Sequence, residues 1–321
     1  MHSFQQLASD FEQYLIHNSP FPTAPDNLYD PCRYLLGIGG KRIRPVLCLM
    51  GNELFGEMEE DAWRAALGIE LFHNFTLIHD DIMDKAPLRR GQQTIHEKYG
   101  QTAGILSGDV MAIYSYKHLS SIKQQLQPVL ELFNKTAIEV CEGQQMDMDY
   151  ETRDDVSIEE YVRMIELKTS VLLACSLKTG ALIGGATAGN ADKVYSFGKN
   201  LGIAFQLQDD LLDAFGDTGK LGKQNGGDIK ANKKTYLLIK ALANANPAQR
   251  TAIETLLKSD DEGKVTAMLQ HFNDTGAREE CMAAMKYYSD KAFECLEEIA
   301  VISKRKAPLH ELAAYLLQRQ F

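Results

Sequence analysis

An all-α fold is what this chain predicts, on three observations. Apolar residues recur at helical spacing, first at Phe4, Leu7, Phe11 and Leu15. No proline occurs between Pro128 and Pro247, which leaves room for a series of uninterrupted helices. Sustained strand alternation is not evident anywhere. Neither linker composition nor a repeat of fixed period interrupts the sequence, so one large helical domain is expected over residues 1–321.

Taken in order, the first amphipathic helix leads into a loop: Pro20, Pro22, Pro25 and Pro31, four of the nine prolines, fall within residues 20–31. Gly39-Gly-Lys-Arg-Ile-Arg-Pro45 then sets three cations behind a glycine pair, just before the apolar run Val46-Leu-Cys-Leu-Met50. A basic surface loop would look similar, but the entry to a buried helix favours an anion cradle. Leu77-Ile-His-Asp-Asp-Ile-Met-Asp84 interrupts an apolar helix that Pro87 brings to an end. Ser157-Ile-Glu-Glu160 has the form of a capping box and opens a helix with Ile158, Tyr161, Val162 and Ile165 on one face. No charge follows Lys168 until Lys178, so that helix passes from surface to interior. Phe205-Gln-Leu-Gln-Asp-Asp-Leu-Leu-Asp213 repeats the acidic spacing, and residues 216–227 form the clearest long loop.

A formal charge of −10 argues against a nucleic-acid partner. Any phosphate ester must then be attracted locally, by placed cations and bound metal. The six cysteines show neither a CxxC pair nor metal-ligand spacing, and several fall in apolar runs, which suits reduced thiols in a cytoplasm. The N-terminus lacks the basic start and apolar core of a signal peptide, and no run of eighteen uncharged apolar residues exists to span a bilayer.

Two aspartate triplets, Asp80/Asp81/Asp84 and Asp209/Asp210/Asp213, carry most of the chemical information. On a helix, residues i and i+4 stack on one face, and like charges stacked this way are destabilising. Doing so twice in apolar surroundings points to a divalent cation. Hard oxygen donors suit Mg²⁺, which binds through one or two carboxylates plus substrate phosphates. Arg89 and Arg90 follow the first triplet. They could pair with the carboxylates or help to hold a diphosphate, and alone the two readings are evenly matched. Lys223, Asp228, Asn232 and Lys233 follow the second triplet, where a solvated loop is the bland alternative. His73, His79 and His96 surround the first triplet, though a core histidine is the commoner case. HExxH, GxSxG, P-loop and strand-linked GxGxxG motifs are all absent.

Together these blocks resemble the trans-polyprenyl diphosphate synthase family along nearly the whole chain. The ordered matches are Gly39–Pro45, Asp80–Asp84 with Arg89-Arg90-Gly91, Gly143-Gln-Gln-Met-Asp147, Lys168-Thr169, Phe205–Asp213, and Gly222–Ile229 with Asn232-Lys233. The resemblance implies an isoprenoid-synthase helical bundle around a deep central cavity, usually a homodimer. It implies that Asp80, Asp84 and Asp209 ligate Mg²⁺ directly, three ions with substrate bound, with Asp81, Asp210 and Asp213 as ligands or orienting groups. Arg89, Lys168, Lys223 and Lys233 would hold the allylic diphosphate; Lys41, Arg44, His73 and Arg90 would hold isopentenyl diphosphate. Gln144, Asp147, Thr169 and Gln206 would line the reacting region, with Lys168, Thr169 and Gln206 shielding the allylic cation. Arg42 and Ile43 vary within the family's cationic motif and carry less weight. Whether Arg319 closes over substrate stays open.

The implied reaction condenses isopentenyl diphosphate with an allylic diphosphate. Phe75 and Thr76 lie about one turn before Asp80, where a bulky side chain would stop a growing product. In the family, an aromatic at this position without a second beside it goes with the C20 geranylgeranyl product, with C15 farnesyl close behind. Residues near Ile113 to Tyr116 could deepen the floor. A class I terpenoid cyclase is the first alternative, but it has no need of the Lys41, Arg44 and Arg90 set. A non-catalytic regulatory subunit would be expected to lose metal ligands, and both triplets are intact.

Overall fold

A computed structural model of the protein describes residues 1–216, 226–259 and 261–317. Among these the structure is helical, apart from a two-stranded hairpin of β1 (Leu88–Arg89) and β2 (Gln92–Gln93). The chain runs through α1 (Phe4–His17), α2 (Asp26–Gly37), α3 (Ile43–Phe55) and α4 (Glu60–Met83), then the hairpin. After it come α5 (Ile95–Tyr99), α6 (Gln101–Leu119), α7 (Leu126–Glu151) and α8 (Ile158–Ile165), a π-helical turn (Glu166–Ser170), and α9 (Val171–Ile183). The remainder is α10 (Ala188–Phe215), α11 (Gly227–Lys230), α12 (Tyr236–Asn244), α13 (Pro247–Leu257), α14 (Lys264–Asp274), α15 (Ala277–Glu297) and α16 (Ser303–Leu317).

Local chemistry sets many of these boundaries. Ser3 caps α1 by accepting from the Gln6 N–H at 3.2 Å, and Leu7 and Phe11 are its buried face. The box read at Ser157 is present: its Oγ accepts from the Glu160 N–H at 3.1 Å, and the Glu160 carboxylate accepts from the Ser157 N–H at 2.9 Å. One expectation is corrected. The proline-rich loop ends at Pro25, and Pro31 lies inside α2. Pro31 stands past the first turn, so it forfeits one intrahelical bond to the residue 27 carbonyl, a loss set against the burial of Tyr29, Pro31, Cys32 and Leu35. Of the long loop read at 216–227, residues 217–225 lie outside the described residues, and Gly227 opens α11.

The chain divides into two compact units. The first comprises Met1–Asn134, Cys175–Asp192 and Ala300–Pro308. In it α4 packs on α3 and α6, and α3 also lies against the 175–183 part of α9 at unusually short range. A Cβ on Gly180 would fall 1.8 Å from the Cys48 carbonyl oxygen, and one on Gly51 2.2 Å from that of Leu177. These glycines therefore set how closely the two backbones approach. The second unit comprises Lys135–Ala174, Lys193–Ile299 and Leu309–Phe321. Its core joins Tyr161 and Met164 of α8, Leu207 and Leu211 of α10, Leu237 of α12, Phe272 of α14 and Cys281 of α15.

Gly180→Ala is expected to destabilise the protein although alanine is the better helix former. The added methyl meets backbone and forces the helices apart at about 2–3 kcal/mol, a melting temperature lower by roughly 5–10 °C in a thermal unfolding scan.

Candidate active site

The first acidic triplet closes α4. Asp84 is the C-cap residue, and the helix stops through a left-handed Lys85 (φ 51°), with Lys85 N–H on the Ile82 carbonyl and Ala86 N–H on that of Asp81. Asp80 and Asp84 remain one turn apart, with the Asp84 N–H on the Asp80 carbonyl at 2.8 Å and the Asp84 side chain exposed. Asp81 points inward instead. It is 4% exposed and receives both Nε and Nη2 of Arg89, at 2.8 and 2.7 Å. Arg89 can reach it because the hairpin folds back over a two-residue turn, Arg90-Gly91, with both φ angles positive (53° and 76°). Thr94 Oγ1 on the Ala86 carbonyl, at 2.8 Å, fastens the hairpin base.

The Gly39–Pro45 motif meets this hairpin within the first unit, while its Lys41 is exposed. A Cβ on Gly40 would fall 2.7 Å from the Arg90 guanidinium, so the loop lies directly against that side chain. Arg44 Nη1 lies 3.1 Å from His73 Nε2. Burial, then Arg44 and Arg90, pushes His73 well below its ordinary value, so the ring is neutral. Arginine offers no acceptor; the imidazole Nε2 therefore accepts, and its proton sits on Nδ1. Burial and, secondarily, Arg90 bring Arg44 down to about 10, against the attraction of Glu70. Arg44 Nε is buried with no hydrogen-bond partner among the described residues. Crowded arginines, a neutral histidine and an unmatched buried donor together form a site that an anion would complete.

The second triplet lies on α10 in the second unit. Asp210 is 3% exposed and accepts from the Tyr161 hydroxyl and from Gln206 Nε2, the latter at 3.4 Å. Burial raises its carboxyl to about 8 and raises the Tyr161 phenol as well. Asp213 Oδ2 accepts the Asp228 N–H at 2.9 Å, and its carbonyl takes the Gly226 N–H at 2.7 Å, bringing the chain back beside α10. Thr169 Oγ1 lies 3.4 Å from Gln206 Oε1, so Thr169, Gln206, Asp210 and Tyr161 form one row of hydrogen bonds. They line a cleft of about 480 Å³ with Lys168, Asp147 and Lys233. Lys168 Nζ donates to Asp147 Oδ2 at 2.5 Å. The π-helical turn sets Lys168 and Thr169 in this cleft. It is held by close approach of α7, where a Cβ on Gly143 would fall 2.3 Å from the Lys168 nitrogen. Gln144 is buried, with neither amide atom hydrogen-bonded among the described residues.

For a metal, Asp80 and Asp84 on one face and the oxygen donors of the second triplet are of the right hardness. No three acidic, His or Cys side chains converge as a self-sufficient cage among the described residues. Hard oxygen donors of this kind suit Mg²⁺, which takes few protein carboxylates and completes its shell with water and substrate phosphate.

Phe75 packs against Phe72 (ring centroids 5.5 Å apart) and His79 (4.8 Å). Phe72 meets Phe133 at 5.1 Å, and Phe133 meets Tyr116 at 5.3 Å. Thr76 Oγ1 turns back onto the His73 carbonyl at 2.8 Å. Ile113 is 66% exposed and does not join that aromatic row. Lys223 and Arg319 lie outside the described residues. Two residues in contact with these candidates, Glu70 with Arg42 and Tyr161 with Asp210, were missed from sequence. Glu70, a lone carboxylate in an apolar helix, gave a readable signal; Tyr161 on an amphipathic face gave none.

The family model described as polyprenyl synthetase matches residues 25–273. The geranylgeranyl diphosphate synthase of Methanosarcina mazei is 37% identical over 310 residues, covering 93% of this chain and 92% of its own. The geranylfarnesyl diphosphate synthase of Natronomonas pharaonis is 33% identical over 319 residues, with 92% and 91% covered. A solved geranylgeranyl pyrophosphate synthase superposes with a TM-score of 0.94 at 42% identity, with 100% of both chains covered. On this similarity of sequence and fold, together with the paired acidic motifs, the chain belongs to the polyprenyl synthetase family.

Proposed function

We propose that the chain is a short-chain trans-prenyltransferase that condenses isopentenyl diphosphate with allylic diphosphates and releases geranylgeranyl diphosphate (C20), with farnesyl diphosphate (C15) as the shorter alternative. The observation that carries this reading is the anion site of Arg44, neutral His73 and Arg90 in the unit whose α4 ends in Asp80 and Asp84. A cyclase ionises one diphosphate and has no use for a second diphosphate site. Because the family match spans both compact units, we take residues 1–321 to act as one catalytic domain.

Lys41, Arg44, His73 and Arg90 hold isopentenyl diphosphate, while Arg89, Lys168, Lys233 and Lys223 hold the allylic diphosphate. Mg²⁺, three ions with substrate bound, would be held by Asp80, Asp84 and Asp209 and would stabilise the charge that develops on diphosphate as the allylic C–O bond breaks. Asp81, Asp210 and Asp213 brace this arrangement through Arg89, Tyr161 and the 226–228 backbone. The bond's electron pair leaves with diphosphate, and an allylic cation remains. Thr169 and Gln206 present oxygen dipoles that favour this cation over solvent attack. The double bond of isopentenyl diphosphate attacks the cation, and the new C–C bond forms. A proton is then lost to an oxygen of the departing diphosphate, for no side chain stands out as the base. Phe75, backed by Phe72 and Phe133, ends the growing chain.

We also propose a homodimer in the cytoplasm. On α6, Ile105, Leu106, Ile113 and Tyr116 form an exposed apolar stripe, which a second copy would cover. The described cysteines are free thiols, which suits a reducing compartment, and no described helix is long and apolar enough to cross a membrane.

Three measurements test these statements. With Mg²⁺, isopentenyl diphosphate and farnesyl diphosphate, mass spectrometry should find elongation ending at C20, and Phe75→Ala should shift it to longer products. No elongation from any allylic starter would sink the reading. Asp80→Ala or Asp209→Ala should lower turnover by roughly 10³-fold or more with the melting profile intact, and retained activity would remove either from the metal site. Ile113→Asp should halve the mass seen by light scattering, whereas an unchanged dimer would place the interface elsewhere.

A further inference from the structure

We propose that Arg42 and Glu70, a buried ion pair beneath Lys41, Arg44, His73 and Arg90, are the positioning element that builds the isopentenyl diphosphate site. The inference rests on the reading of those cations given above. Arg42 is the middle cation of its motif, yet it cannot reach a substrate. It is 4% exposed, and its three guanidinium nitrogens are directed inward. Nε donates to Glu12 at 2.6 Å, Nη1 to Glu70 at 2.6 Å, and Nη2 to the Leu36 carbonyl at 2.7 Å. Arg44, two residues on, keeps a buried Nε unmatched, and Lys41 is exposed. One motif therefore divides its cations between anchoring and binding.

Backbone geometry explains what is anchored. Arg42 is the N-cap residue of α3 and adopts φ 49°, ψ 35°, a left-handed conformation that costs a side-chain-bearing residue about 1–2 kcal/mol. Three hydrogen bonds from its own side chain hold it there. Lys41 enters this turn and Arg44 leaves it in the first turn of α3, so the turn sets the backbone from which both extend. Glu70 supplies the opposite footing on α4. Its Oε1 also accepts from Asn74 Nδ2 at 3.1 Å, and His73, which receives Arg44, lies three residues along the same helix. Arg42–Glu70 and Arg44–His73 are thus two struts between the same pair of helices.

Electrostatics supplies a second reason. Arg44, Arg89 and Arg90 repel one another, and Glu70 is the buried carboxylate whose field favours both Arg44 and Arg90. A buried ion pair barely offsets its own desolvation, so stability alone is a weak reason to have one, and placing neighbours is a better one.

The test is steady-state elongation by Glu70→Gln and by the charge-free double variant Arg42→Met/Glu70→Met, which avoids leaving one buried ion unpaired. If the pair positions the site, both variants raise KM for isopentenyl diphosphate about tenfold, while KM for the allylic diphosphate moves less than about twofold. Calorimetry with isopentenyl diphosphate in EDTA should show the same loss of affinity, independent of turnover. A purely structural pair predicts a lowered melting temperature in Glu70→Gln with no KM split, and wild-type kinetics in the double variant; that result overturns the proposal. If the wild type binds isopentenyl diphosphate but elongates nothing, the function reading fails while calorimetry still decides the inference. If the wild type does not bind it, both fall.

Discussion

Asp80 and Asp84 stack one turn apart at the C-terminal end of α4, where mutual repulsion and the negative end of the helix dipole both oppose them. Much of the neighbouring structure manages that conflict. The helix is stopped by Lys85 in a conformation that usually belongs to glycine, and two backbone hydrogen bonds consume its last carbonyls. The middle carboxylate is turned inward and matched by the fork of Arg89, delivered by a turn that requires Gly91. The Asp84 side chain stays exposed, and under the proposed function a divalent cation would relieve the repulsion at this helix end.

The second triplet uses the opposite device. Asp210 is protected rather than opposed, since Tyr161 and Gln206 donate to a carboxyl whose burial already disfavours its charge. The same hydrogen-bond row fixes the Gln206 oxygen beside Thr169. Irregular backbone contributes as well. A π-helical turn costs regular hydrogen bonding, and here it coincides with Lys168 and Thr169, packed under a glycine of α7. The irregular backbone and two polar side chains of the cleft fall within the same five residues.

Much of this was legible in the sequence, and the exceptions have physical reasons. Helices were readable because apolar spacing and the proline gap act locally, and the Ser157 box stands as it was read. Pro31 misled because local chemistry counts only the hydrogen bond it forfeits inside α2, whereas the packing of Tyr29, Cys32 and Leu35 outweighs that loss. The candidate site residues stood out as charges in apolar surroundings. Arg42 looked like a weaker copy of its neighbours, because residue type does not reveal which way a guanidinium turns. The Tyr161 partnership was invisible, since a tyrosine on an amphipathic face is usually core and its partner lies 49 residues away.

α4 carries Glu70, His73, Phe75, Asp80 and Asp84 on one unbroken rod. On such a rod, distance is counted in residues, about 1.5 Å each, and direction in steps of about 100°. The helix is therefore a ruler on which the proposed anchor, anion contact, product floor and metal face would stand at fixed graduations. Exchanging a side chain alters one mark and leaves the scale intact, but adding or deleting a single residue would turn every mark beyond it to a different face. Were Phe75 the product floor, a change of product length would call for substitutions spaced by whole turns, about 5.4 Å apart. The same rigidity makes length variation within α4 the most tightly closed route to change.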